Sequence, residues 1–220
     1  MTIFTFYDSL SYMVIIPNFV VFEGGDGSGT STQLSILSSR LKNIEKPVIF
    51  PTFEPTEGQI GKLIRSTLKK ELFFRPETLA MLFAADRHEH LYGQDGIFTH
   101  VNHGELAVSD RYVLSSLVYQ GIECGDELPT LLNSRFPVPE ITIFFDIEPE
   151  IAIDRMKNRD SLEIYEYREF QEKVRQKYKS TITQYCKSGA KVEIIDASKT
   201  AAEVADQVWS ILSVMPIFNI

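Results

Sequence analysis

Short apolar runs alternate along this 220-residue chain with longer stretches whose apolar residues recur every three or four positions. That alternation predicts βαβ units and a largely parallel sheet. Residues 19–23 (FVVFE) read as a buried strand running straight into glycines, and residues 47–50, 106–109, 141–146 (ITIFFD) and 192–196 (VEIID) as four more. Helical spacing carries Leu34, Leu37 and Leu41 over residues 31–43, and Ile60, Leu63, Ile64 and Leu68 over residues 58–70. Pro76 opens a further helix through Leu91, and a closing helix covers about residues 201–214. The charged stretch 154–178 reads as mostly helical, with an interruption near 159–163. The fold expected is α/β, in three layers, with a five-stranded, mostly parallel sheet and helices on both faces.

A chain of this length suits one such domain with a full core, expected over residues 19–220, with residues 1–18 as an N-terminal extension. That extension is apolar, but it has no cationic leader region and no small-residue cleavage site. No stretch is long enough to span a bilayer, so a membrane is not expected as a partner. Cys124 and Cys186 stand without metal-ligand spacing, as in a reduced protein, and a cytoplasmic location is expected. His88 and His90 are two apart and would not share a helix face, so they are not read as a metal site. A formal net charge of −8 without any basic run argues against long nucleic acid as a partner. A small anion can still be held by a few local arginines.

In parallel α/β sheets ligands bind beyond the carboxyl ends of the strands, which directs attention to residues 24–31, 52–57, 110–112, 148–150 and 196–198. The first of these is chemically explicit. The segment EGGDGSGTSTQ (residues 23–33) follows a strand and opens a helix, the setting of a phosphate-binding loop. Gly24, Gly27 and Gly29 let backbone N–H groups converge on an anion, helped by the partial positive charge of the helix start. Ser28, Thr30 and Thr32 complete the expected phosphate contacts, and Ser31 stands where a hydroxyl reaches Mg²⁺. The usual pattern, G-x4-G-K-[ST], has a lysine where this chain has Thr30, so a cation for the β- and γ-phosphates is missing.

Six segments, in order, resemble thymidylate kinases, a family of P-loop nucleoside-monophosphate kinases. EGGDGSGTSTQ is similar to that family's EGxDGxGKSTQ, and TFEPTEGQIGKLIR (52–65) to its T-R-E-P segment, with Phe53 where arginine is common. LAMLFAADRHEHL (79–91) resembles its acceptor helix and SDRYVLSSLVYQG (109–121) its D-R-Y segment. EIYEYREFQEKVRQKY (163–178) resembles its lid, with Ile164 where arginine often stands, and IIDASKTAAEV (194–204) the loop beside adenine. The resemblance implies a P-loop kinase fold with a lid over about residues 155–168. It also implies ATP as donor with Mg²⁺, dTMP as acceptor with dTDP as product, and a homodimer.

Roles carried over from the family place Phe83 and Arg87, four apart on one helix face, with the ring stacked on thymine and the guanidinium on the base or the 5′-phosphate. Arg111 would hold the acceptor phosphate, Asp110 with Ser31 would organise Mg²⁺, and Asp26 would stand near the acceptor phosphate. Ser116 and Gln120 fall at the pyrimidine edge, and Tyr119 where a ring crowds the sugar 2′ position. Thr30, Phe53 and Ile164 together remove three cations, and Arg155 or Arg159, flanking Lys157, is expected to close over ATP in compensation. Two alternatives share the frame: a deoxynucleoside kinase, and a nucleotide-binding sensor or scaffold with weak or lost turnover, which Thr30 favours. The acidic residues Glu163, Glu166 and Glu169 are expected to face solvent or to pair with Arg168, Lys173 and Arg175.

Overall fold

The computed structural model describes residues 14–42, 47–156 and 164–218. The expectations for residues 1–13, for the helix break at 159–163 and for Lys157, Arg159 and Glu163 lie outside them. Five strands form one parallel sheet in the order β2-β3-β1-β4-β5: β1 (Ile15–Gly24), β2 (Ile49–Phe53), β3 (Leu106–Asp110), β4 (Val138–Asp146) and β5 (Val192–Asp196). Nine helices are described: α1 (Thr30–Leu41), α2 (Gln59–Leu68), α3 (Pro76–Tyr92), α4 (Ile97–Asn102), α5 (Val113–Cys124), α6 (Glu127–Asn133), α7 (Pro149–Met156), α8 (Ile164–Lys187) and α9 (Ala201–Leu212). Among the described residues no helix is long and apolar enough to cross a membrane.

The pleat of β1 sorts its side chains into two cores. Val20 and Phe22 pack with Leu34, Leu37 and Leu41 of α1 and with Val204, Val208 and Leu212 of α9. Phe19 and Val21 point the other way, toward Leu91 of α3, Ile97 of α4 and Val113 of α5. Farther along that second face, Phe144 of β4 packs with Val118 of α5 and with Val174 and Tyr178 of α8. This gives the three layers, with β1 central and buried on both sides, as its unbroken apolar run requires.

Several boundaries differ from the apolar pattern. β1 begins at Ile15, so residues 15–18 belong to the sheet, and Ile16 is wholly buried. The register against β4 shifts between Ile16 and Val20, where Asn18 takes a left-handed φ of 59° and its N–H donates to Glu140 Oε2 (2.6 Å). Pro17 and Asn18 thus mark a bulge inside a strand that sequence reads as its start. β2 covers Ile49–Phe53, running through Pro51, because it is an edge strand and a missing N–H there need not break the ladder. Helices α4 and α6 are too short to show a clear helical period, whereas α5 carries one at Val113, Leu114, Leu117, Val118 and Ile122 and is missing from the expected helices.

One contact fixes how the sheet presents the carboxyl end of its strands. Helix α5 has no side-chain cap of its own. Glu23, at the end of β1 and wholly buried, supplies one: its Oε1 accepts the N–H groups of Tyr112 (2.9 Å) and Ser115 (3.1 Å). Its Oε2 accepts from Ser115 Oγ (2.6 Å) and Tyr178 Oη (3.0 Å). Burial raises the Glu23 pKa, a rise that these hydrogen bonds and the charge of Arg111 oppose. A β1 carboxylate therefore seats the N-terminus of α5 and the middle of α8 together.

Leu37→Ala tests the packing of α1 on the sheet. The side chain is 4% exposed. The variant is expected to lose about 2–5 kcal/mol of unfolding free energy. Urea denaturation would show a lower midpoint with unchanged slope.

Candidate active site

Beyond β1 the glycine loop wraps around the start of α1. Gly27 (φ 79°) and Gly29 (φ 94°) take left-handed conformations that side chains resist. A Cβ on Gly27 would also come 2.6 Å from the Ala152 carbonyl oxygen of α7. A cavity of about 600 Å³ opens over this loop, lined by Gly27, Ser28, Gly29, Thr30, Ser31 and Thr32 and, across from them, by Arg155, Tyr167 and Lys199. Gly24 does not line it. A side chain there would meet Ser28 and Phe145, so this glycine permits close packing behind the loop. Thr30 begins α1 and is buried, and the buried Ser28 Oγ has no partner.

A second cavity, of about 800 Å³, lies between α1, α2, α3 and α5. Phe83, Arg87, Arg111, Ser116, Tyr119 and Gln120, scattered over thirty-eight sequence positions, all line it. The buried Gln120 Oε1 has no partner, as suits a group reserved for a ligand. Asp26, Ser31, Asp110 and Arg111 line both cavities, so the two meet along these four residues. Ser31 Oγ donates to Asp110 Oδ2, while Asp110 Oδ1 is buried without a partner.

Arg111 sits at the junction under backbone strain, with φ at 76° in a residue that bears a side chain. Its N–H donates to the Phe22 carbonyl (2.8 Å), Nη2 to Asp26 Oδ1 (2.7 Å) and Nη1 to Ser115 Oγ (3.3 Å). Burial would lower its pKa, but Tyr119, Asp26, Tyr178 and Asp110 outweigh that and hold it well above the ordinary arginine value. It is a permanent cation with part of its donor set unspent.

The pattern of the thymidylate kinase family matches residues 22–208. A Treponema pallidum (strain Nichols) protein named as a thymidylate kinase is 44% identical over 200 residues, covering 89% of this chain and 95% of its own length. One from Pyrobaculum aerophilum, similarly named, is 40% identical over 195 residues, covering 88% and 95%. One from Methanococcus aeolicus is 40% identical over 167 residues, covering 76% and 80%. This chain belongs to the thymidylate kinase family. It is an enzyme of the phosphotransferase class.

Within this member of the thymidylate kinase family, Arg87 differs from the expected phosphate clamp. It is 1% exposed. Its Nε and Nη2 donate to Glu54 Oε2 (2.9 and 2.7 Å), and Nη2 also reaches the Tyr112 carbonyl (2.9 Å) and Ser116 Oγ (3.0 Å). Nη1 donates to Asn133 Oδ1. The charge of Arg87 is therefore matched inside the protein, and the guanidinium forms the cavity floor. Ser116 is engaged by it too.

Arg155 donates to the carbonyls of Ala197 (2.9 Å), Ser198 (3.2 Å) and Lys199 (3.0 Å), which ties α7 to the loop after β5. Arg168 pairs with Glu150 and Glu172, and Arg175 with Asp146 and Glu148, while Glu169 faces solvent, one of the two arrangements expected for it.

The residues that hold this site together come from the family-like segments 52–65 and 79–91, although the resemblance assigned none of them a role. Asp86 Oδ2 and Oδ1 accept the Thr56 N–H and hydroxyl (both 2.7 Å). His90 lies between Thr52 Oγ1, 2.6 Å from Nε2, and Glu54 Oε1, 3.0 Å from Nδ1. Arg65 lines the larger cavity with Nη2 on the carbonyls of Pro55 and Thr56 and its guanidinium 5.1 Å over the Phe53 ring. A further sequence signal is the charged run Asp86-Arg87-His88-Glu89-His90, three of whose five residues face inward on a core helix.

Glu54→Gln is expected to lose about 3–5 kcal/mol of stability, because it strands the buried Arg87 charge. Burial pushes the Glu54 carboxyl up, but Arg87 and His90 outweigh it and hold it below its ordinary 4.5. Its stabilising contribution is thus complete above the unfolded carboxylate range and is lost as pH falls through the lower folded value. Thermal unfolding followed from pH 7 to pH 3 should show that acid loss in the wild type and a flatter limb in Glu54→Gln.

Proposed function

We propose that this enzyme transfers the γ-phosphoryl group of ATP to the 5′-phosphate of dTMP, yielding dTDP and ADP. The observation that carries the reading is the junction of the two cavities at Asp26, Ser31, Asp110 and Arg111. Phosphoryl transfer needs donor and acceptor oxygens brought into line and cationic charge between them. The glycine loop and the start of α1 offer backbone N–H groups to the donor phosphates. Arg111 offers the acceptor phosphate a guanidinium, and Arg65 a second one whose hydrogen bonds go to neutral carbonyls.

Phe83 and the Gln120 carboxamide face the space for a planar base. Ser31 Oγ and the unpartnered Asp110 Oδ1 form a small hard-oxygen set that fits Mg²⁺, which keeps water and phosphate as its other ligands. Among the described residues no larger acidic or histidine cluster suited to a metal occurs. When bound there, the ion would neutralise charge on the phosphates of the donor. The same reading carries a cytoplasmic homodimer. Exposed apolar residues Leu68 of α2, Phe73 between α2 and α3, and Met81 of α3 are available to such an interface.

A coupled ADP-release assay with ATP and Mg²⁺ tests the acceptor. dTMP should be turned over fastest, dUMP and dCMP more slowly, and thymidine not at all, since it has no phosphate for Arg111. Faster turnover of thymidine would favour a deoxynucleoside kinase, and binding of both nucleotides without dTMP-dependent ADP release a sensor. Arg111→Ala should weaken dTMP binding by about 1.5–3 kcal/mol in calorimetry, the worth of a hydrogen bond to a charged group, with ATP affinity nearly unchanged.

A further inference from the structure

With the acceptor phosphate at Arg111, Asp26 poses an electrostatic problem: it puts a carboxylate beside that phosphate, and like charges at close range repel. The structure surrounds the carboxylate with donors. Arg111 Nη2 (2.7 Å) and Tyr119 Oη (3.2 Å) donate to Oδ1. Tyr167 Oη (3.4 Å) and Gln171 Nε2 (3.3 Å), one turn apart on α8, donate to Oδ2. Gln171 is 3% exposed, and Tyr167 also reaches Met156 Sδ (3.5 Å) at the end of α7.

We infer that Tyr167 and Gln171 are positioning residues that hold Asp26 to a single contact with Arg111, leaving the rest of that guanidinium for the acceptor phosphate. An arginine and a carboxylate side by side favour a two-pronged pair, in which both oxygens take N–H groups from one guanidinium. Here only Oδ1 is spent on Arg111, because Oδ2 is turned toward α8. Without the α8 donors, Oδ2 is free to swing onto Arg111 and consume the N–H groups that a phosphate would use. Tyr167 suits this role because burial, and the Asp26 charge beside it, push its phenol pKa up, so it stays a proton donor across the working range.

This inference rests on the reading of Arg111 as the acceptor-phosphate ligand, and binding separates it from turnover. Calorimetric titrations with dTMP and with thymidine would compare the wild type, Tyr167→Phe, Gln171→Met and each of these combined with Asp26→Ala. Each single α8 variant should bind dTMP about three- to tenfold more weakly, the scale of one hydrogen bond to a charged group. Thymidine, which lacks the phosphate, should change by less than about twofold. With Asp26→Ala in place there is no carboxylate to restrain, so neither α8 change should weaken dTMP further. Equal losses for dTMP and thymidine, or full additivity with Asp26→Ala, overturn the positioning role. The expected binding pattern in a protein that releases no ADP would reject the kinase reading and uphold the positioning role. Normal turnover with additive losses would do the reverse.

Discussion

Arg87 and Glu54 meet where α3 passes beneath the loop after β2, both almost out of contact with water, and neither could stay there charged without the other. Removing such ions from water costs several kcal/mol apiece, so the pair must be completed by good geometry and further hydrogen bonds. It is: Asn133, the Tyr112 carbonyl, Ser116 and His90 take up the remaining polar groups. The network binds residues of β2's exit, α3, α5 and α6 into one rigid floor. The larger cavity inherits its shape from that floor, and Arg65 and Arg111 stand elsewhere on its wall.

Charge is distributed across the site in a graded way. At the floor it is internally cancelled, at the junction Arg111 is shared between Asp26 and the open cavity, and at Arg65 it is balanced only by carbonyl dipoles. The strained backbone of Arg111 fits this arrangement. Its N–H is held by β1, and the helix that follows is seated by Glu23 from the same strand. Strain of this kind persists only where neighbouring contacts over-determine it, and here they come from β1, the glycine loop and α5.

Thr30, where the family pattern has lysine, is buried at the start of α1. Backbone N–H groups and the start of α1 do not depend on that side chain. The donor cavity retains Arg111, Arg155 and Lys199 on its wall. Arg155 is committed to three carbonyls, an arrangement that orients a cation without neutralising it.

The sequence by itself determined the class of fold, the five strands and the helices between and after them that were read from an apolar period, and the glycine loop that joins β1 to α1. Those features are local: a period of apolar residues, a glycine run between strand and helix, and six segments in family order. It also named Phe83, Arg87, Arg111, Ser116, Tyr119 and Gln120, which the structure gathers around one cavity. It did not reveal the start of β1, because a bulge at Asn18 breaks the apolar alternation, or that the edge strand read at 47–50 runs on through Pro51 to Phe53. Nor did it reveal that Arg87 is spent on Glu54, that Glu23 caps a helix about ninety residues away, or that α8 reaches Asp26. Only the tertiary structure decided these, since the partner of a buried charge is set by which elements the sheet order brings together. A side chain's type says that it needs such a partner; packing alone says which one it finds.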